Sequence, residues 1–327
     1  MLVDSRPTWR LDRPTLFTTE TPFEMEWHCA FVPSMVWQKE HAHTSMSISQ
    51  TTSATSPPIR PSTSPRYNQA TSPSPQPHTS QPMPTFLHHA LLACGFLTRL
   101  VPARVATADD MAAAVRWFPL AGLVVGGACW LPFALGLAAS HPAIQAWLYV
   151  LINLWVTRGL HWDGVADLAD AWGSSATGER FWDILKDSRI GAFGVMGLLL
   201  GFGGQYIGAH EIFISGRLGV LIAAPIVGRG ACVILAALVP PGSRSTLGRL
   251  TCAGADRIAI GVAATCGILV LLLTTPVITT VTTIAICGAI VTALAHLARR
   301  EGGINGDFMG ACIAGCEGAV LLAASMG

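Results

Sequence analysis

From Phe86 onward the chain alternates long apolar stretches with short polar connections. The apolar runs cover about 86–98, 118–139, 143–158, 191–210, 218–239, 258–275, 277–298 and 309–325. A helix needs roughly 20 residues to cross about 30 Å of hydrocarbon. Runs of this length predict an all-α fold, a polytopic integral membrane helix bundle of about seven or eight membrane segments. The first run is short and is interrupted by His88 and His89, which also fits a re-entrant or interfacial helix. Gly-x-x-x-Gly spacings at Gly122/Gly126, Gly197/Gly201 and Gly204/Gly208 would let helices approach closely. Residues 1–84 follow a different pattern. They are rich in Ser, Thr and Pro, as in TTSATSPPIRPSTSPRYNQATSPSPQPHTSQPMP, without sustained periodicity. The expectation is a disordered extension before a membrane domain spanning 85–327. The start, MLVDSRPTWRLDRPTLF, lacks the uninterrupted apolar core of a secretory signal; a native start further along, for instance at Met83, is the alternative.

Composition supports the membrane reading: 51% of residues are hydrophobic and 12% charged, with a mean hydropathy of +0.49, too apolar for an ordinary soluble domain. A net charge of +1 without a basic run excludes nucleic acid as an expected partner. Most of the cysteines (Cys94, Cys129, Cys232, Cys266, Cys287) stand singly in apolar runs as small buried hydrophobes. Cys312 and Cys316 share a helix face, but no Cys/His ligand set surrounds them. The arginines and lysine are distributed asymmetrically. Connections on one side contain Arg99, Arg104, Arg116, Arg158, Arg180, Lys186, Arg189, Arg244, Arg249, Arg257, Arg299 and Arg300, whereas the other side, the extension apart, contains Arg217. Because cytoplasmic loops retain Lys and Arg, the segments 159–190, 240–257 and 299–308 are expected in the cytoplasm, on a multi-pass protein of the cell (inner) membrane.

The segment from His161 to Arg189 concentrates charge within this apolar chain: Asp163, Asp167, Asp170, Glu179, Asp183 and Asp187, with Arg180, Lys186 and Arg189. Carboxylates near hydrocarbon are costly unless paired or bound to a cation. Asp163, Asp167 and Asp170 recur at i, i+4 and i+7, which puts them on one helix face; three hard oxygen donors so placed suit Mg²⁺. A solvated helix face would give the same spacing. In DILKDSRIGAFG, Lys186 and Arg189 flank Asp187 and Ser188 ahead of Gly191 and Gly194, a setting able to hold phosphate through cations and helix N-terminal amides. The same two cations would also serve as interface anchors. Asp307 lies in the Gly-rich turn EGGINGDFMG. Arg229 lies in mid-segment and pairs either with a substrate phosphate or, structurally, with Glu317. His161, beside Trp162, reads as a base, as a phosphate-binding donor, or simply as an interfacial residue.

At these residues the sequence resembles the cobalamin synthase family. GLHWDGVADLADAW is similar to the family's G-hydrophobic-H-x-D-G-x-A-D-x-x-D core, and ILKDSRIGAFGV to its I-M-K-D-S-R-x-G-x-x-G segment. FLTRLVPARV, WFPLAGLVVGG, Arg229-Gly230 and GGINGDFMGA add matches in order from Phe86 to the C-terminus. Asn305 stands where the family has threonine and Leu185 where it has methionine; residues 1–84 have no counterpart. The resemblance implies an enzyme that joins adenosylcobinamide-GDP to α-ribazole or its 5′-phosphate, releasing GMP. Mg²⁺ on Asp163, Asp167 and Asp170 would bridge the pyrophosphate. Asp170 or Asp187 would accept the proton of the ribazole 5′-hydroxyl, with His161 a further catalytic candidate. Lys186, Ser188, Arg189, Arg229 and Asp307 would contact substrate or its phosphates. Preference between the two ribazole forms and the oligomeric state are left open. Two competing readings are a CDP-alcohol-type phosphotransferase, whose pattern puts an arginine near Leu168, and a cation- or proton-coupled transporter, which would carry its acids mid-span in repeated halves.

Overall fold

The structure, a computed structural model, describes residues 84–104, 106–243 and 245–327. The extension predicted for 1–84 therefore lies, except for Pro84, outside the described residues, as does Arg244. In chain order the helices are α1 (Thr85–Leu97), α2 (Ala108–Ala114), α3 (Phe118–Ala134), α4 (Pro142–Val156), α5 (Leu160–Gly173), α6 (Glu179–Ile184), α7 (Ala192–Ser215), α8 (Val220–Leu238), α9 (Thr246–Gly254), α10 (Arg257–Thr274), α11 (Val277–Arg300) and α12 (Gly306–Ser325). A short 3-10 turn joins α2 to α3, making one apolar rod, Ala108–Ala134. That rod, α7, α8, α10, α11 and α12 are the six helices long and apolar enough to cross a membrane; α1 and α4 are shorter apolar helices. Among the described residues there is no strand, only an isolated bridge between Pro241 and Ile304. The polytopic helix bundle expected from the apolar runs is thus the fold. Helix α9 was not anticipated. It forms inside the 240–257 connection, where the Ser245 side chain accepts the Gly248 amide at 2.9 Å and so caps a segment too short to show apolar periodicity.

Helix α8 is the hub, packed against α3, α10, α11 and α12. Its interior position follows from an all-round apolar sequence. By contrast α7 and α10 turn much of their surface outward, as at Leu200 and Leu273, 78% and 75% exposed, which suits hydrocarbon as solvent. The Gly122/Gly126 spacing works as expected: a Cβ at Gly126 would fall 2.8 Å from the Ile222 carbonyl oxygen of α8. Van der Waals contact between backbones, the main association force in lipid, requires this closeness. At Gly197 and Gly201 the neighbours are instead Ala169 and Trp162 of α5, and Gly208 meets Leu321 of α12.

One buried polar network crosses the bundle. Arg229 of α8 is fully buried and ion-paired with Glu317 of α12. Asn153 of α4 donates to the second Glu317 oxygen at 3.1 Å. Of the two pairings open to Arg229 in the sequence, the structure contains the internal one. No face of the guanidinium reaches solvent, so a phosphate in the aqueous phase does not contact it in this conformation.

The polar connections gather at one end. The Arg99 amide donates to the Val156 carbonyl at 2.9 Å, Arg158 to Thr98, Arg299 to Leu238, and Arg116 pairs with Asp256. At the opposite end the turns are short, and Arg217 reaches the Ala324 carbonyl there. Adjacent glycines offer a direct test of the packing. Gly126→Val should cost about 1–3 kcal/mol or prevent folding, whereas Gly127→Val, with nothing within 4 Å of its added Cβ, should leave thermal stability in detergent unchanged.

Candidate active site

Helix α5 begins after Gly159, which takes a left-handed φ of 69° and turns the chain sharply out of α4. It packs on α12 and α7. The α12 contact is made at Gly164: a Cβ there would lie 2.9 Å from the Asp307 Cα. The tight G in the D-G of the core motif is what brings Asp163 and Asp167 beside Asp307, distant in sequence. Gly310, one turn further along α12, lies against the His161 backbone.

Asp170 has a definite structural task. One of its carboxylate oxygens accepts the Gly191 amide and the other the Gly194 amide, both at 2.7 Å. These are the amide of the N-cap residue and one of the first turn of α7, so a carboxylate from another helix caps α7 and meets its positive dipole end. Gly194 must be a glycine for this, since a Cβ would sit 3.0 Å from the Asp170 carboxyl carbon. The amides expected to receive a phosphate thus receive Asp170, a pairing invisible along the sequence because the partners come from separate helices.

Asp163 and Asp167 accept no such amide bond among the described residues. Asp163 is exposed and Asp167 half-buried. Desolvation, then the charges of Asp163, Asp307 and Asp170, push the Asp167 carboxyl up to about 7. Like charges held together in this way call for a cation or a proton. Among the described residues no three acidic, histidine or cysteine side chains close into a ready cation cage. Mg²⁺ does not require one, because it commonly keeps its waters and takes one or two carboxylates plus substrate phosphates. The open set Asp163, Asp167 and Asp307 fits that chemistry.

The cationic arm follows α6. Arg189 clamps Asp187 with Nε to Oδ1 at 2.9 Å and Nη2 to Oδ2 at 2.7 Å, and these bonds hold the Asp187 carboxyl down at about 2. Lys186 and Ser188 are exposed on the same arm. His161 is buried, its Nε2 without a partner among the described residues. Burial, then the charge of Arg229, keeps the imidazole neutral, well below its ordinary value. Its place is the α5–α12 seam, which does not suit proton exchange with solvent.

Glu301, in the connection before α12, is a residue that sequence reasoning missed. Its buried carboxylate accepts the Gly178 amide at 2.8 Å and Arg300 Nε at 2.8 Å, while its carbonyl accepts Trp182 Nε1 at 2.8 Å. It thereby ties the α5–α6 turn and α6 to the loop that leads into Asp307. A glutamate flanking two glycines of positive φ, Gly302 and Gly303, is the only trace it leaves in the sequence. Asn305 caps α12, its Oδ1 accepting the Phe308 amide at 3.3 Å and its Nδ2 donating to Asp307 at 2.6 Å. A threonine caps helices in the same way, which accounts physically for the exchange at this position.

A family model described as cobalamin-5-phosphate synthase matches residues 89–325. The chain belongs to that family. It is 98% identical over 245 residues, 75% of this chain and all of the relative, to an adenosylcobinamide-GDP ribazoletransferase of Nitratidesulfovibrio vulgaris Hildenborough. It is 57% identical over 236 residues, 71% of this chain and 92% of the relative, to the protein of the same name from the Miyazaki F strain. A Chlorobaculum parvum protein, also so named, shares 34% over 235 residues, 69% of this chain and 90% of that one. No solved structure matches the chain. The matched region contains every element of the acidic site and its cationic arm.

The electrostatics of Asp167 set a pH dependence. Its proton affinity is raised in the fold above the usual value near 4, so the protonated form is favoured by folding and the fold loses stability as pH rises from about 4 through about 7. Thermal midpoints measured in chelator should fall across that window, recover at pH 8 on adding Mg²⁺, and show neither change in Asp167→Asn.

Proposed function

We infer that this chain is an adenosylcobinamide-GDP ribazoletransferase. The adenosylcobinamide-phosphate moiety passes from the pyrophosphate to a ribose hydroxyl of α-ribazole, or of its 5′-phosphate, and GMP leaves; because the 5′-phosphate has no free 5′-hydroxyl, the acceptor common to both is a ring hydroxyl of the ribose and not the 5′-hydroxyl. The observation that supports it best is the family match running through α5, the cationic arm and Asp307, three segments that the fold brings to one end of the bundle.

In this reading Asp163, Asp167 and Asp307 would hold Mg²⁺, with Asp170 committed to α7. Bound there, the cation would neutralise charge developing on the phosphoanhydride oxygens. Lys186 and Arg189 hold the phosphates; the guanidinium fork that now grips Asp187 is shaped for two phosphate oxygens. Ser188 stands beside them as a hydroxyl donor. As Arg189 turns to substrate, the Asp187 carboxylate is released and its proton affinity rises, so Asp187 is the proton acceptor for the attacking hydroxyl. Asp170, with both oxygens engaged, is not. The bond from phosphorus to the ribazole oxygen forms as the bond to the GMP oxygen breaks, and the hydroxyl proton goes to Asp187. Asp170 and Glu301 keep the arm and the acid face in register, and catalytic rate is sensitive to such register. The transporter reading finds no support in the placement of the acids, since α5 is outside the six long apolar helices.

Membranes given adenosylcobinamide-GDP and α-ribazole should yield corrinoid product and GMP in equal amounts by mass spectrometry. Asp167→Asn should reduce turnover by at least about 100-fold, the usual scale for lost charge stabilisation, while the protein still inserts. Near-native turnover would remove Asp167 from the site. We further place this end of the bundle in the cytoplasm, on the strength of its arginines. A thiol introduced by Ser175→Cys, at an exposed turn, should resist a membrane-impermeant reagent in intact cells and react once they are opened; labelling in intact cells would invert the topology.

A further inference from the structure

On the side of α5 opposite its carboxylates there is a cavity of about 500 Å³. It opens between α7 and α11, with α12 behind it. Trp162, Leu168 and Trp172 of α5 and Leu294 and Leu297 of α11 line it, and Arg300 stands at its edge. The apolar lining of α5 recurs at three- and four-residue steps, while Asp163, Asp167 and Asp170 occupy the other face. Such a helix lies along a membrane interface with hydrocarbon beneath it and water above. Trp172, 66% exposed, is an indole of the kind that settles at headgroup level. On α7, the flanking helix, Leu199 and Leu200 are largely exposed, as on a helix that has hydrocarbon as its solvent.

The cavity's charge lies at one point. The Arg300 side chain is half exposed and only its Nε is engaged, by Glu301; its two Nη nitrogens make no hydrogen bond among the described residues. His296 lies one turn earlier on the same face, also lining the cavity. An apolar slot with a guanidinium at its polar edge has the charge pattern of an anionic amphiphile. A polar metabolite would leave its hydrogen-bonding groups unmet against these walls, and a zwitterionic lipid would bring a second cation towards Arg300.

We propose that this cavity binds one acyl chain of an anionic glycerophospholipid whose phosphate rests on the free Nη nitrogens of Arg300. The lipid packs beneath α5 and so supports, from behind, the helix that carries Asp163 and Asp167.

Native mass spectrometry of the full chain, with phosphatidylglycerol and phosphatidylcholine offered in competition, tests this without reference to turnover. Wild-type protein should retain one phosphatidylglycerol in preference to phosphatidylcholine. Arg300→Gln should weaken that retention about fivefold, the loss expected for one cation at an anionic surface, and Arg300→Lys should largely restore it. Ala293→Trp, which fills the slot and leaves the cation in place, should lose the lipid as well. Three results would overturn the proposal: equal retention of the two lipids by wild type, retention unchanged in both Arg300→Gln and Ala293→Trp, or displacement by inorganic phosphate alone. Competitive displacement by adenosylcobinamide-GDP would also overturn it, by assigning the slot to substrate. Because the readout is lipid retention, an inactive but lipid-selective protein would refute the catalytic reading and leave this one standing.

Discussion

The arrangement depends on a single demand: Arg229 and Glu317, both buried in the middle of apolar helices, must find each other. Neither has water to turn to, and Asn153 completes the carboxylate's shell. Breaking such a pair leaves a buried uncompensated charge, which is far costlier than the pair's own net contribution. The pairing therefore acts chiefly as a register pin. It fixes α12 against α8 and α4, and once α12 is set, Asp307 and Gly310 can meet α5 only at Gly164 and His161. The position of the acid face is in this sense dictated from inside the bundle.

A second layer of polar contacts transfers that register to the surface. Asp170 accepts the Gly191 and Gly194 amides at the start of α7, and Glu301 accepts the Gly178 amide of the α5–α6 turn. Both use a charge to satisfy backbone groups that would otherwise be exposed at a helix end or buried in a turn. The consequence is electrostatic as well as geometric. With both Asp170 oxygens bonded to amides and Asp187 paired with Arg189, the crowding of like charge is felt at Asp167, whose carboxyl is raised by burial and by its acidic neighbours.

Much of this was legible beforehand, for identifiable reasons. Apolar runs of spanning length admit few alternatives in lipid, so the helices could be placed closely; α12 begins at Gly306 where the apolar run suggested about 309, since its first turn is polar and capped by Asn305. The i, i+4, i+7 spacing correctly joined Asp163, Asp167 and Asp170 on one helix. It could not show that Asp170 turns to α7 while Asp307 approaches from α12, because periodicity describes one helix and those contacts are made between helices. Arg229 illustrates the same limit: sequence allowed two partners, and burial chose Glu317.

The sequence by itself determined the solvent this protein lives in, its long apolar helices, the end of the bundle that gathers charge, and the family motifs within that charge. These follow from local properties, hydropathy and spacing, that need no partner to be read. Tertiary structure decided which carboxylate caps a helix, that Asp307 of α12 comes beside Asp163 and Asp167 of α5, and that Glu301 binds two loops together. Those assignments depend on which groups compete for the same hydrogen-bond donors, and that competition exists only once the helices are packed.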